Sequence, residues 1–154
     1  MKARLTVTVA AVAALTACGS ATDSVTFQPP SNFHSKASFG PFMQMWESGP
    51  RNVIMLMSLP VQTDLDKAVR EADLKDARVR KNERIKICGG SQDAVFAQIE
   101  GESSTAGDEP KQPSEIEFLA TNVKGKTYLA MYLRPLHTAA DTAAEAAIRD
   151  VCPK

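Results

Sequence analysis

The sequence predicts an α+β domain in which a mainly antiparallel sheet, with the element order ββαββββα, packs against two helices. Three observations support this prediction. The apolar run Val53–Met57 lies between Gly49-Pro50 and Pro60, which is typical of a central strand. Two alternating segments meet at Lys124-Gly125, where the glycine favours a hairpin turn. Alanines recur at helical spacing near the C-terminus.

Local patterns predict the first three elements. Aromatic and methionine residues over Phe39–Trp46 indicate a strand, which Pro41 restricts to the edge of the sheet. The turn-like residues 47–50 allow it to pair with a second strand over Arg51–Leu59. From Thr63 the apolar period becomes helical, with acidic residues in the first turn, and predicts a helix over residues 63–74.

Four strands are expected next, and the last two form a hairpin. Charged and apolar residues alternate over Arg84–Ile87, and residues 94–100 follow as another strand. Residues 114–123 and 126–134 form the hairpin, with Val123 opposite Lys126. This register places three further apolar pairs on one face: Phe118 with Met131, Ala120 with Leu129, and Ile116 with Leu133.

The second helix is predicted over residues 140–151. The other face of the hairpin mixes polar and apolar residues, so it suits partial cover by a helix. Thr142 and Glu145 have the spacing of a capping box. The apolar stripe of this helix consists of Ala140, Ala143, Ala144, Ala147, Ile148 and Val151.

Composition limits the possible functions. The chain has 154 residues, of which 44% are hydrophobic, and this leaves room for one domain. Its 18 basic residues equal its 18 acidic residues in number, so the net charge gives no reason to expect a nucleic-acid partner. We therefore predict no nucleic-acid binding.

The N-terminus has the pattern of an export signal. Lys2 and Arg4 precede an apolar run, Leu5–Ala14, that is shorter than the roughly 20 residues of a membrane-spanning helix. The following residues, Leu15-Thr16-Ala17-Cys18-Gly19, resemble the lipobox of bacterial lipoproteins. The resemblance implies cleavage before Cys18, a diacylglycerol on its thiol and acylation of the new amino terminus. The alternative is an ordinary secretory leader.

This leader predicts three regions and a location. Residues 1–17 form the signal peptide, residues 18–38 hold the lipidated Cys18 and a flexible tether rich in Ser and Thr, and residues 39–154 form the domain. The lipid would hold the domain on a membrane of the cell envelope. Gly19 in place of an aspartate implies, in a bacterium with two membranes, the outer membrane facing the periplasm.

Two cysteines remain once Cys18 carries lipid. In an exported chain we expect Cys88 and Cys152 to form a disulfide. A metal site and a reactive thiol are the alternatives. No histidine neighbours either cysteine and no C-x-x-C spacing occurs, which disfavours zinc.

The order of elements over Phe39–Cys152 resembles that of the PsbP-like and DcrB-like exported domains. The similarity rests on the Trp-bearing segment before an apolar strand, the long last hairpin and the closing helix. It implies an accessory or binding role, and no family site residue carries over. A cystatin-like domain or another small α+β sheet domain is the alternative.

No residue pattern indicates catalysis, so we predict no catalytic, cofactor-binding or metal-binding residue. His34 and His137 lack metal-ligand spacing and are expected at the surface. Ser103 and Ser104 lie in a loop, Gly101–Pro113, that is expected to be disordered, with a functional loop as the alternative.

Two surface features could serve binding. The locally basic stretch 70–86 is expected to be a solvated face, with contact to anionic lipid or glycan as the alternative. Phe42, Met43, Met45 and Trp46 are expected in the core, with an apolar ligand groove as the alternative.

The sequence thus predicts a membrane-tethered, non-enzymatic accessory or binding domain. Its partners would be the membrane, through Cys18, and an envelope protein or an apolar or anionic ligand. The alternative is an envelope enzyme, of hydrolase type, whose site forms no visible motif.

Overall fold

The computed structural model describes residues 20–70, 77–104 and 110–154, and these form the predicted α+β domain. A seven-stranded antiparallel sheet has the order β2-β3-β4-β8-β7-β6-β5, and β1 pairs with β9 in a separate ribbon. The elements are β1 (Val25–Thr26), β2 (His34–Phe39), β3 (Met43–Glu47), β4 (Val53–Leu59), α1 (Leu65–Arg70), β5 (Arg78–Ile87), β6 (Gln92–Ser103), β7 (Gln112–Val123), β8 (Lys126–Pro135), α2 (Thr142–Ile148) and β9 (Cys152–Pro153).

Several predicted boundaries are corrected. The segment 39–46 is divided between β2 and β3 because Gly40 turns the chain with a φ of 55°. The edge strand β5 begins at Arg78, six residues before the prediction, because ladder pairing with β6 outweighs the charged sequence. The helix expected over 63–74 is seen as α1, and residues 71–76 lie outside the described part.

The prediction of a flexible tether over 18–38 is wrong for residues 20–38. Ala21, Val25 and Phe33 are buried in the core, and Phe27 packs against Trp46 with 5.2 Å between ring centroids. These apolar residues are too irregularly spaced to show a helical or strand period, which is why the pattern resembles a linker. Cys18 and the leader 1–17 lie outside the described residues.

The hairpin of β7 and β8 has the predicted register. Val123 lies opposite Lys126, and Phe118 lies opposite Met131. Lys124 and Gly125 both have positive φ, 49° and 76°, as a primed two-residue turn requires. Both faces of this hairpin are buried, since Phe118 and Leu119 are 1% and 0% exposed.

The α2 face of the sheet is fully covered. Side chains of α2 and of the N-terminal segment pack there against Leu119, Tyr128 and Tyr132. The N-cap of α2 is Asp141, whose carboxylate accepts from the amides of Ala143 and Ala144, so the predicted capping box at Thr142 is wrong. The helix also ends at Ile148, before the predicted residue 151.

Cys88 and Cys152 form the predicted disulfide, with their Cα atoms 5.6 Å apart. Cys88 begins the short turn between β5 and β6, and Cys152 lies in β9 directly after the buried Val151. The bridge therefore ties the chain that follows α2 to the far edge of the sheet.

Replacing Cys152 by Ser should reduce the free energy of unfolding by about 4 kcal/mol, since the bridge constrains a loop of 64 residues. Thermal unfolding monitored by circular dichroism would measure this loss. Faster amide exchange over α2 should accompany it, because the seven-residue helix depends on its packing. Cys18→Ser is the matched control and should leave the melting temperature unchanged. Equal stability of the two variants would contradict a structural role for the bridge.

Candidate functional site

The face opposite α2, called here the α1 face, is only partly covered. The six-residue helix α1 places Leu65, Ala68 and Val69 over Phe118 and the adjacent part of β6 and β7. Within the described residues, α1 packs chiefly on β6 and β7. The part of this face formed by β3, β4 and β8 has no described helix above it.

Methionine dominates the uncovered part of this face. Met43 lies opposite Met57, Met45 opposite Met55, and Met55 opposite Met131 in the adjacent strand pair. The alternation of each strand points these five side chains to the same side. They are all the methionines of the sequence except Met1. Methionine is flexible and polarisable, so such a surface can adapt to apolar ligands of different shapes.

Four of these five side chains, all except Met57, line a groove of about 380 Å³, which is within the usual range of small-molecule sites. A smaller depression of about 320 Å³ beside α1 shares Met131 with it, so the two meet at β8. The groove is lined by Phe39, Met43, Met45, Val53, Met55, Ser103, Ser104, Ile116, Met131 and Leu133.

The predicted cluster of Phe42, Met43, Met45 and Trp46 is divided by the sheet. Met43 and Met45 line the groove, as the ligand-groove alternative requires. Trp46 lies on the α2 face against Phe27. Phe42 is 51% exposed at the turn between β2 and β3, and does not belong to the core. Phe39, 59% exposed, forms one end of the groove.

The opposite end of the groove is polar. Ser103 donates to the Ser114 hydroxyl at 2.7 Å, and both side chains are buried. The predicted disordered loop 101–113 is therefore wrong at its two ends, where β6 continues to Ser103 and β7 begins at Gln112. Residues 105–109 lie outside the described part.

Arg51 lies behind this polar end of the groove. The sequence did not identify it as a candidate site residue. Its Nη2 donates to the carbonyl oxygens of Ser103 and Gln112, both at 3.2 Å, and to the Ser114 hydroxyl at 2.8 Å. Its φ of 59° is unusual for a residue with a side chain. The preceding Gly49-Pro50 is the sequence signal of the turn, but it does not indicate where the guanidinium lies.

A second polar cluster lies on the closed α2 face. Glu117 in β7 is 0% exposed, and its Oε1 is 3.5 Å from Nη1 of Arg134 in β8. Arg134 also pairs with Glu115 at 2.8 Å. Glu145 of α2 and Arg149, the C-cap residue of that helix, complete the set of charged groups that act on Glu117. Oε2 of Glu117 has no hydrogen-bond partner among the described residues.

Burial and, to a smaller extent, the neighbouring Glu145 carboxylate raise the pKa of Glu117 to about 7, against the opposing charges of Arg134 and Arg149. The Glu117 carboxyl therefore holds its proton more tightly in the folded chain than in the unfolded chain. This cluster lies beneath α2 and does not line the groove.

The remaining sequence candidates lie apart from these features. His34 and His137 are both exposed, as predicted. The basic residues Arg80, Lys81, Arg84 and Lys86 form ion pairs with neighbouring carboxylates along the edge strand β5. Their charge is thus locally balanced, and charged side chains protect an edge strand from pairing with other chains.

Residues 20–70, 77–104 and 110–154 contain no group of three or more His, Cys, Asp and Glu side chains placed to hold a metal ion. Neither described helix is both long and apolar enough to cross a bilayer.

Comparison with solved structures finds a similar fold in a protein from Bacteroides thetaiotaomicron, with a TM-score of 0.55 and 12% sequence identity. The match covers 85% of this chain and 48% of the other, so this chain spans about half the length of that protein. No protein-family model and no curated protein matches the sequence. At this identity the similarity concerns the fold alone.

The free energy of unfolding should fall by about 2 kcal/mol between pH 5 and pH 8, because the pKa of Glu117 is raised and the folded chain must release its proton over this range. Chemical denaturation at a series of pH values would measure the decrease. Glu117→Gln should remove most of it, whereas Glu83→Gln, a change at a partly exposed position of β5, should not. An unchanged pH profile in Glu117→Gln would show that another group is responsible.

Proposed function

We propose that this chain is a non-enzymatic binding domain of the cell envelope, tethered by lipid on Cys18, that receives an apolar ligand in the groove of the α1 face. The observation that carries the proposal is the group of five methionines on that face, of which Met45 is buried and the other four are only partly buried. A small domain ordinarily buries its large apolar side chains, and a contiguous apolar surface is typical of a binding site.

The shape of the groove favours a small ligand. Its apolar wall is formed by β3, β4, β8 and β7, and polar atoms are concentrated at the Ser103 and Ser104 end. This combination of an apolar lining with a few localised polar groups is typical of small-molecule sites. A ligand with an extended apolar part would replace the missing cover of the sheet.

The position of titratable groups favours binding over catalysis. A hydrolase needs an acid or base that reaches its substrate. Glu117, whose pKa is raised to about 7, lies on the other side of the sheet from the groove and is fully buried. The described lining of the groove consists of apolar side chains and two serines, and no histidine or carboxylate of the described residues is part of it to activate either hydroxyl.

The position of the N-terminal segment limits the distance between the domain and the proposed lipid anchor. Ser20 accepts a hydrogen bond at 3.1 Å from Gln44 of β3, so the chain joins the domain at this residue. Cys18 lies two residues earlier and is at most about 7 Å away along the chain. A lipid on Cys18 would therefore hold the domain close to the bilayer, and not at the end of a twenty-residue tether.

Lipidation is tested at Cys18 itself. Mass spectrometry of the protein from envelope membranes should show an N-terminal Cys18 carrying diacylglycerol and an acyl group. Cys18→Ser should move the protein out of the membrane fraction, since the acyl chains supply the anchoring free energy. Cleavage at another residue, or an unmodified Cys18 in membranes, would contradict the proposal.

Groove binding is tested with the neutral fluorescent probe N-phenyl-1-naphthylamine. We expect the full chain to increase its fluorescence, and Met55→Glu to weaken binding at least tenfold because a carboxylate then enters the apolar lining. Val61→Glu is the control, since Val61 is 62% exposed outside the groove. If Met55→Glu does not fold, Met55→Gln serves the same purpose. Equal loss in the groove and control variants, or no binding by the unsubstituted chain, would contradict the proposal.

A further inference from the structure

We infer that the groove binds a single-chain amphiphile with an anionic head group, its chain lying on the methionines and its head meeting Ser103, Ser104 and the guanidinium of Arg51. This inference rests on the proposed function and specifies the ligand of the same groove. The chemical class includes free fatty acids and anionic lysophospholipids. It follows from the contrast between the two ends of the groove and from the unsatisfied state of Arg51.

Arg51 lies next to the groove at its polar end. Nη2 is 3.2 Å from the carbonyl oxygen of Ser103 and 2.8 Å from the hydroxyl of Ser114. Ser103 is itself a lining residue, and Ser104 follows it. The positive charge is therefore separated from the groove by a single residue, at the end where the lining changes from apolar to polar.

The charge of Arg51 is not paired with a carboxylate of the described residues. Among residues 20–70, 77–104 and 110–154, no carboxylate lies within ion-pair distance of it, whereas Arg80, Arg84 and Arg134 each pair with at least one. Glu47, the last residue of β3, is already paired with Lys36 at 2.5 Å. An anion at this end of the groove would thus meet an arginine that no described carboxylate neutralises.

Donor groups of Arg51 are also left over. All three of its hydrogen bonds are donated by Nη2, and its Nε is buried with no partner among the described residues. Guanidinium carries five donors in a planar fork that matches a carboxylate or phosphate. The hydrogen bonds to β6 and β7 hold the fork in place, and the donors of Nη1, which bond no described residue, remain for an anionic head.

The backbone at Arg51 is held in an uncommon conformation. Its φ of 59° follows Gly49 at 77°, and the turn is closed by a hydrogen bond from Ser48 to Asn52 at 2.9 Å. A left-handed residue with a long side chain is disfavoured unless the surroundings enforce it, and such residues are concentrated at ligand clamps. This strain supports a positioning role for Arg51 beyond closing a turn.

The head-group preference is tested by titrating the full chain with dodecanoate and with dodecanol at pH 8, below the concentrations at which they aggregate. Dodecanoate should bind at least tenfold more tightly. Arg51→Gln should remove this preference while leaving the affinity for dodecanol unchanged. Arg80→Gln, the same substitution at an exposed ion pair on β5, is the matched control and should keep the preference.

The contribution of the ligand's alkyl chain is tested with the series of fatty acids from decanoate to tetradecanoate. Each methylene that becomes buried in the groove should tighten binding about fourfold. Lauroyl lysophosphatidylglycerol distinguishes the sources of the anionic head. Tighter binding than dodecanoate would assign a membrane lipid, and weaker binding would assign a free fatty acid; either supports the inference.

The outcomes separate the two proposals. Binding of dodecanol and dodecanoate with equal affinity, or an unchanged preference in Arg51→Gln, would overturn the anionic head group and leave the apolar groove intact. Failure of both ligands to bind would overturn the groove and with it this inference. If Arg51→Gln does not fold, the comparison of the two ligands on the unsubstituted chain decides the question.

Discussion

The structure depends on one constraint: the central strands are apolar on both faces, and the two described α-helices cover only part of this apolar surface. Phe118 and Leu119 are neighbours in β7 and point to opposite sides, yet both are buried. Each Å² of apolar area that is buried contributes about 25 cal/mol to the free energy of folding. Packing other parts of the chain on both faces of the sheet is therefore favourable. The α2 face obtains this cover in full, and the α1 face obtains it in part. The groove lies in the part of the α1 face that is not fully covered.

Cover of the α2 face requires distant parts of the chain. The seven-residue helix α2 is too short to close this face alone, so the N-terminal segment adds Ala21, Val25 and Phe33. The ribbon of β1 and β9 joins that segment to the C-terminus, and the disulfide fixes β9 to Cys88. Each of these contacts links residues far apart in sequence, so closing this face reduces the freedom of both termini. On the α1 face, the described long-range links are at the α1 end, where Thr63 bonds Asn122 and Thr127.

Sequence reasoning succeeds where the determining contacts are local. The register of β7 and β8 follows from Gly125, because the two-residue turn fixes which side chains meet. The cysteine pairing follows from the small number of cysteines. The burial of residues 20–38 is missed because Val25 and Phe33 have neighbours only in the tertiary structure. For the same reason, the sequence does not predict the complete set of residues that forms the groove. Its methionines lie on three strands, and Arg51 bonds Ser103, which is 52 residues away in the sequence.

The segment that leads to the proposed anchor and the proposed ligand site meet at one strand. Gln44 of β3 donates to Ser20 on one side of the sheet, and its neighbours Met43 and Met45 line the groove on the other. Successive side chains of a strand point to opposite faces, so Ser20 and the groove are separated by little more than the thickness of the sheet. Because Cys18 precedes Ser20 by two residues, a lipid on Cys18 would keep the groove near the bilayer surface. The exposed Phe39 lies at the apolar end of the groove, and Arg51 lies next to the opposite, polar end.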